Sequence, residues 1–333
     1  MSVERVIRIC RRHDEARGLR LALLDELRAV VGFDAYSWLL TDPETEVGCA
    51  PLADVPCLPE LPRLIRLKYL TAMNRWTRIE APVALLGAQR DHSLVWREML
   101  AGYGVEDVAS MVFRDRFGCW AFLELWRKTA FTDADAEFLT AIAAPVTEAL
   151  RRCQARTFDT VPAPPDRAGP VVLMLSPELE VRAQTPETDR YLRALVPPDA
   201  DRRPVPSGAY NVAAQLLAVE AGVDDHPPWA RVHLAGGAWL TLRAARIGNG
   251  AADIAVTIET SSPAERTEVF ARALGLSARE AELLGHLVAG ADTHHIAERM
   301  FLSEHTVQDH LKSIFAKSET RNRRTLIARA AGR

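Results

Sequence analysis

The strongest constraint in this chain of 333 residues lies near its carboxyl end, in the stretch 302–314. Read at helical period, Val307, Leu311 and Ile314 fall on one face of a helix, and hydrogen-bonding side chains fall on the opposite face. Ser303 is a residue type that favours the N-cap, so we expect the helix to begin there. A short helix with an apolar back and a polar front fits the major groove of DNA.

Three more helices are predicted around this one. The capping-box pattern of 277–280 predicts a helix start, and Gly290 stands where a left-handed C-cap is expected. A second short helix is predicted from about 293 to 300, and a last one from about 323 to 331. The spacing of these elements predicts a helix-turn-helix within an all-α unit.

This tail resembles the LuxR-type, or GerE-like, four-helix DNA-binding domain. The residues that carry the resemblance are Leu276, Ser277, Arg279, Glu280, Glu282, Leu284, Gly290, Ile296, Ala297, Glu298, Leu302, Ser303, Thr306, Val307, His310 and Ile314. The resemblance covers 264–333 and implies binding to double-stranded DNA, with two copies of the chain reading two half-sites. It leaves RNA polymerase open as a further partner.

The predicted DNA contacts follow the polar front of the helix. Glu304, His305, Gln308, Asp309 and Lys312 are expected to face base edges, whereas Thr306, Lys317, Arg321, Arg323 and Arg324 are expected to lie near the backbone phosphates. Ser303, at the start of the helix, is a further candidate for DNA binding. From Ser303 onward, seven Lys and Arg stand against three acids, which is a modest positive excess. Two departures from the family are Gln308, usually Lys, and Glu319, where a Gly usually follows the helix.

Residues 1–158 are predicted to form an α+β domain. The pattern indicates one or two helices over 3–31, a strand over 35–40, a hairpin of strands 108–114 and 119–127, and a closing helix from Thr132 to about 152. The order of Gly104-Val105, hairpin and Phe131-Thr132-Asp133 resembles a GAF domain. That resemblance implies a small-molecule site between the sheet and its covering loops.

Aromatic residues are the candidates for such a site. Trp120, Phe122, Glu124 and Trp126 alternate along the second hairpin strand, which predicts that they share one face. The candidate ligand-binding residues are Trp38, Trp96, Trp120, Phe122 and Glu124. The alternative is that the aromatic residues are core residues and that Glu124 forms an ion pair with an Arg.

The middle of the chain is predicted to be a second, smaller α+β domain over 168–262, after a Pro-rich linker at 159–167. Two strands, two helices and three further strands resemble a PAS-like fold. A ligand site and a packed spacer both remain open for this domain.

Composition narrows the function classes. The formal net charge of −3 argues against a protein that coats nucleic acid, and the five cysteines show no metal-ligand spacing. We expect a cytoplasmic protein with no membrane span, no cofactor and no metal. His294 and His295 are neighbours on a helix and point about 100° apart, so they do not readily hold one ion.

The sequence thus predicts a multidomain chain: a GAF-like sensor, a PAS-like domain, and a helix-turn-helix domain at 264–333. No nucleophile–base pair or nucleotide loop is evident, so an enzyme is not expected. The predicted function is a one-component transcription regulator that forms a dimer and responds to a small molecule. The alternative is a ligand- or partner-binding protein whose tail mediates oligomerisation, with weak or lost DNA binding.

Overall fold

The computed structural model describes residues 3–159, 171–195, 206–234, 237–248 and 252–332. Most of the predicted Pro-rich linker, residues 160–167, lies outside these ranges. No helix in the described ranges has the length and apolar character needed to cross a membrane.

The first unit is a five-stranded antiparallel sheet with helices on both faces. Its elements are α1 (Val3–Arg12), α2 (Ala16–Val30), β1 (Ala35–Thr41), β2 (Gly48–Asp54), α3 (Leu61–Leu70), β3 (Val83–Leu85), α4 (Leu94–Glu98), β4 (Asp107–Asp115), β5 (Gly118–Arg127) and α5 (Asp133–Arg156). The strand order is β2-β1-β5-β4-β3. The predicted terminal helices, first strand, hairpin and closing helix are confirmed. The elements from β2 to α4 are not in the prediction.

The second unit repeats this strand order in a smaller sheet. Its elements are β6 (Val171–Leu175), β7 (Val181–Gln184), α6 (Thr188–Leu195), α7 (Ser207–Glu220), β8 (Trp229–His233), β9 (Trp239–Arg246) and β10 (Ile254–Thr260), in the sheet order β7-β6-β10-β9-β8. The predicted sequence of two strands, two helices and three strands is confirmed. In both sheets the fifth strand pairs with the first, and the second and third strands lie at opposite edges. The segment between the second and third strands of each unit therefore crosses one face of its sheet.

The remainder of the chain is helical: α8 (Pro263–Ala273), α9 (Ala278–Val288), α10 (Thr293–Met300), α11 (Glu304–Ser318) and α12 (Arg323–Ala331). The predicted capping box of Ser277 and Glu280 is present, and Ser262 and Glu265 form another at the start of α8, a helix that the prediction lacks. Each capping box satisfies two backbone N–H groups at a helix start.

A continuous apolar core joins the first unit to the helical tail. Phe158, just after α5, stacks on Trp239 of β9 with ring centroids 5.1 Å apart, and it meets Phe270 of α8 edge-on at 5.2 Å. Leu283 of α9 and Val307 of α11 belong to the same buried cluster. Because one core runs through the junctions, the helical tail is packed against the rest of the chain.

Arg231 lies at the point where all three parts meet. Its guanidinium is fully buried and binds Asp42 (Nε to Oδ2, 2.7 Å), Glu44 (Nη2 to Oε2, 2.8 Å) and Glu268 of α8 (Nη1 to Oε2, 2.8 Å). Asp42 and Glu44 belong to the turn between β1 and β2, and Arg231 itself lies on β8. One side chain therefore ties the first sheet to the second sheet and to the helix that leads into the tail.

A second buried network joins the first two units. Arg75 pairs with Asp224 (2.7 Å) and donates to the Gln215 side chain of α7 (2.7 Å). Burial alone would raise the pKa of Asp224, but the hydrogen bond from His226 and the charge of Arg75 hold it well below its usual range. The same hydrogen bond to Asp224 raises the pKa of His226. Buried charged networks around Arg231 and around Arg75 thus both join the first two units.

Removing Arg231 is expected to be costly, because it leaves the buried Asp42 carboxylate without its partner. We expect Arg231→Met to destabilise the protein by about 3–5 kcal/mol. Arg246→Met on neighbouring β9 is the control, since its pair with Glu220 is partly exposed and such pairs contribute about 0–1 kcal/mol. Urea unfolding followed by tryptophan fluorescence measures both, and equal midpoints for the two variants would contradict the role given to Arg231.

Candidate nucleic-acid interface and internal cavity

The helix α11 is held so that its polar front faces outward. Val307, Leu311 and Ile314 are buried against the core, and the Ser303 hydroxyl accepts a hydrogen bond from the Thr306 amide at 3.1 Å, as predicted for an N-cap. Phe301, in the turn from α10, adopts a left-handed conformation with φ of 56° and is 94% exposed. The apolar back of α11 therefore fixes which residues remain at the surface.

The front of α11 carries all five residues predicted to read bases. Glu304, His305, Gln308, Asp309 and Lys312 are exposed. The Lys312 ammonium lies 2.9 Å from the Asp309 carboxylate, and His305 lies 3.5 Å from the same side chain. The hydrogen bond from Lys312 lowers the pKa of Asp309. The front is thus close to neutral and rich in donors and acceptors, which suits base recognition better than general attraction to phosphate.

The predicted phosphate-contacting residues fall into two groups. Arg321 and Arg324 are exposed beside the start of α12, and Arg323 donates to the hydroxyl of Thr293. Ser303 and Thr306 share the N-cap of α11. Their contact with DNA phosphates stays a prediction.

Lys317 is placed differently from the other predicted contacts. Its ammonium lies 2.6 Å from the buried Glu280 carboxylate of α9 and 3.3 Å from the Gly275 carbonyl. Burial alone would raise the pKa of Glu280, but hydrogen bonds from Lys317, Ser313 and the Ser277 amide lower it to about 2. Lys317 thus joins α11 to α9 inside the helical unit.

Glu319 ends α11 at the position where the family usually has a glycine. It adopts a left-handed conformation with φ of 53° at the end of α11, which costs a non-Gly residue about 1–2 kcal/mol. The amide of Thr320 donates to the Phe315 carbonyl at 3.1 Å, and the Ser318 hydroxyl donates to Ile314 at 2.7 Å. These bonds satisfy the last carbonyls of the helix and hold the strained residue in place.

A cavity of about 220 Å³ lies between the first sheet, α3 and α7. Most of its wall is apolar, from Leu39, Pro51, Ala53, Val55, Leu58, Leu61, Leu64, Ile65, Tyr69, Phe122 and Trp126. Its polar wall consists of Ser37, Lys68, Glu124, Ser207 and Asn211. Lys68 and Glu124 form a buried ion pair with each other, and Ser110 donates to Glu124 at 3.3 Å. A largely apolar cavity with a few polar groups has the character of a ligand site.

The structure brings two of the five predicted ligand residues to this cavity and places three elsewhere. Phe122 and Glu124 line it. Trp38 is fully buried on the other side of the sheet, where it stacks on Phe113. Trp96 lies on α4, where its indole N–H donates to the Val105 carbonyl.

Trp120 leaves the predicted aromatic stripe because β5 contains a bulge. The pairing register shifts between Phe113 and Arg114, which face Ala121 and Cys119 respectively. The extra residue, Trp120, therefore lies in the core on the helix side of the sheet, whereas Phe122 and Glu124 face the cavity. Simple alternation had placed all three on one face, and the bulge corrects that reading. Lys68 also takes the place of the Arg expected to pair with Glu124.

The cavity residues contributed by α7 were not predicted. Ser207 and Asn211 belong to the second unit but line a cavity whose remaining wall comes from the first. The sequence carries a signal for them, because Ser207, Asn211 and Gln215 recur every fourth residue in a mostly apolar helix. This spacing alone does not show that the residues line a cavity, because the sequence does not reveal the contact between α7 and α3.

Residues 274–330 match the family of bacterial regulatory proteins named luxR, or GerE. This part of the chain is a GerE domain. It includes α9 to α12, so the front of α11 belongs to it. No curated protein gives a significant match to the chain.

Solved structures show distant likeness to the chain. Escherichia coli SdiA is 11% identical with a TM-score of 0.37, covering 99% of this chain and 96% of its own. VqmA bound to DPO is 16% identical with a TM-score of 0.19, covering 48% and 85%. The bacteriophytochrome RpBphP3 of R. palustris is 12% identical with a TM-score of 0.30, covering 77% and 61%. Scores this low add no argument about a ligand or a mechanism.

Within the described residues, Asp224, Asp225 and His226 form the cluster whose spacing would suit a metal ion. Asp224 is already bound by Arg75, Thr77 and His226, so its oxygens serve the junction between the first two units. We assign no metal to it.

The ion pair inside the GerE domain predicts a pH dependence of stability. Because folding lowers the pKa of Glu280 from 4.5 to about 2, its contribution is complete above pH 4.5 and is lost as pH falls toward 2. Glu280→Gln is expected to cost about 2 kcal/mol at pH 7, and this deficit shrinks as pH falls through that window. Thermal unfolding of both proteins from pH 7 to 3 measures it.

Glu282→Gln is the matched control, because Glu282 pairs with Arg279 at the surface of the same helix. Its effect on stability is expected to be small at every pH. A Glu280→Gln deficit that stays constant with pH would contradict the assignment of the ion pair.

Proposed function

We propose that this protein is a transcription regulator, not an enzyme, that binds double-stranded DNA sequence-specifically through the front of α11. One observation carries the proposal. The GerE domain packs against the rest of the chain, while five polar side chains of α11 stay at the surface: Glu304, His305, Gln308, Asp309 and Lys312. In this proposal it acts in the cytoplasm as a dimer, and each copy reads one half-site.

The chemistry of the front assigns roles to three residues. The Gln308 amide suits the adjacent acceptor and donor of adenine, and the Asp309 carboxylate suits the amino group of cytosine. Lys312 suits the acceptors of guanine once it leaves Asp309. Arg321, Arg323 and Arg324 then position the helix through phosphates.

The packing of the GerE domain supports regulation by the rest of the chain. Arg329 of α12 binds Asp159 after α5. Arg272 of α8, the helix that leads into this domain, donates to the Phe117 carbonyl in the β4–β5 turn at 3.0 Å. A small molecule that binds better to one arrangement of these units would change how the two copies present their α11 helices. The cavity beside α3 and α7 is the site we propose for that molecule.

The second candidate function is a partner-binding protein whose tail mediates oligomerisation. It is favoured by the acidic residues on the front, Glu304 and Asp309, and by Gln308 at the position where the family usually has Lys. Such a protein would bind DNA weakly and without sequence preference.

Selection from a pool of random duplexes distinguishes the two, because it requires no knowledge of the natural site. The proposal predicts enrichment of a motif with two related halves, as a dimer requires. Recovery of unrelated sequences after repeated rounds would favour the second candidate.

Variants on the selected duplex test the assigned roles. Lys312→Ala is expected to cost about 1–3 kcal/mol and to relax preference at one base position, whereas Arg324→Ala is expected to weaken binding to all sequences and to reduce the salt slope by about one. Fluorescence anisotropy at several salt concentrations measures both. Lys128→Ala, an exposed change on the first unit, is the control and should bind like the unaltered protein.

The contact assignment fails if Lys312→Ala and Arg324→Ala both bind like the Lys128→Ala control. If Lys312→Ala weakens binding to all duplexes equally, Lys312 contacts phosphate and not a base, and the base-reading role assigned to it is wrong.

A further inference from the structure

Three polar side chains on α7 face the first unit and are buried. Ser207, Asn211 and Gln215 are 4%, 1% and 1% exposed, and their spacing of four residues places them on one face of the helix. Gln215 is satisfied, because it accepts from Arg75 and donates to the His226 carbonyl at 2.7 Å. Among the described residues, the Ser207 hydroxyl and both polar atoms of the Asn211 amide have no hydrogen-bond partner.

Unpartnered polar groups of this kind disfavour the folded state. A buried amide that has given up its hydrogen bonds to water destabilises a protein unless another group replaces them. Leucine has nearly the same shape as asparagine and would fit an apolar site without this cost. Asn211 and Ser207 both line the cavity, so a molecule in the cavity is well placed to supply the missing partners.

The remaining wall indicates what kind of molecule fits. Its apolar residues call for an apolar body, and the one pair of charged side chains, Lys68 and Glu124, neutralise each other. A charged ligand would bring an uncompensated charge into a buried space, which is strongly disfavoured. Leu58 lines the cavity and is 47% exposed, so it marks a route in from solvent.

We propose that the cavity binds a small neutral molecule with an apolar body and a carboxamide-like head that both donates and accepts hydrogen bonds. The body lies against the apolar wall of the first unit. The head pairs with the side-chain amide of Asn211, and Ser207 adds a further donor or acceptor.

In this proposal the bound ligand bridges the first and second units. Its body touches α3 and the first sheet, and its head touches α7 of the second unit. Binding therefore stabilises the arrangement in which α3 and α7 are in contact. The inference rests on the proposed function only in naming the class of effector; the binding itself does not depend on DNA.

The test is calorimetric titration of the full chain, without DNA, with straight-chain primary amides of four to eight carbons and with the carboxylates of equal length. At least one amide is expected to bind, and to bind about tenfold or more tightly than its carboxylate. The proposed class is overturned if no amide binds at millimolar concentration, or if the carboxylates bind as tightly as the amides.

Asn211→Leu tests the residue that carries the inference. We expect it to weaken amide binding by about tenfold and to raise the melting temperature of the ligand-free protein, because it removes unpartnered polar atoms. Tyr210→Phe on the same helix is the control, since Tyr210 does not line the cavity, and it should bind the amide normally.

Amide affinity unchanged by Asn211→Leu would overturn the role of Asn211. A lower melting temperature together with unchanged amide affinity would show that Asn211 serves the fold. Because these measurements contain no DNA, their failure leaves the DNA-binding proposal intact, and a failure to select a DNA motif leaves the ligand assignment intact.

Discussion

The arrangement of this molecule depends on one buried guanidinium, that of Arg231. Burying a charge is costly unless it is paired and hydrogen-bonded, and here Asp42, Glu44 and Glu268 supply three carboxylates. Those carboxylates come from the β1–β2 turn and from α8, so this one buried charge is paired with groups from both of the other parts of the chain. The directional hydrogen bonds of a guanidinium then fix how they meet.

Two buried networks lie between the cavity and the GerE domain. The α7 helix, which supplies Asn211 to the cavity, also holds Gln215 in the Arg75–Asp224 network. Asp224 and His226 precede β8, where Arg231 reaches Glu268 of α8, the helix that leads into the GerE domain. Such a chain of packed and hydrogen-bonded groups provides a physical route for coupling, and ligand binding has an effect through it only by favouring one arrangement.

The sequence predicted best those elements whose signals are local. The helices of the GerE domain have capping residues and apolar faces within a few positions of one another, and the hairpin of β4 and β5 has both strands and its turn in one stretch. The elements between residues 48 and 98, β2, α3, β3 and α4, were not predicted. At three and five residues, β3 and α4 are too short to carry a periodic pattern. The bulge at Trp120 is likewise a consequence of tertiary pairing, so alternation alone misplaced that residue.

For the candidate sites too, residues placed by local pattern were predicted and residues placed by tertiary contacts were not. The exposed front of α11 follows from helical period and was predicted residue by residue, although its contacts with DNA remain a prediction. Lys317 is basic and lies on the same helix, yet its side chain turns inward because Glu280, 37 positions earlier, is buried beside it. Ser207 and Asn211 meet Phe122 and Glu124 only because the second unit folds against the first.

Binding of the purified full chain to duplex from its own upstream region, against a scrambled duplex at two salt concentrations, tests the central claim most directly. The account predicts a preference of about a thousandfold or more for the natural duplex, with both affinities falling as salt rises. Equal and weak binding to the two duplexes at both salt concentrations would contradict it.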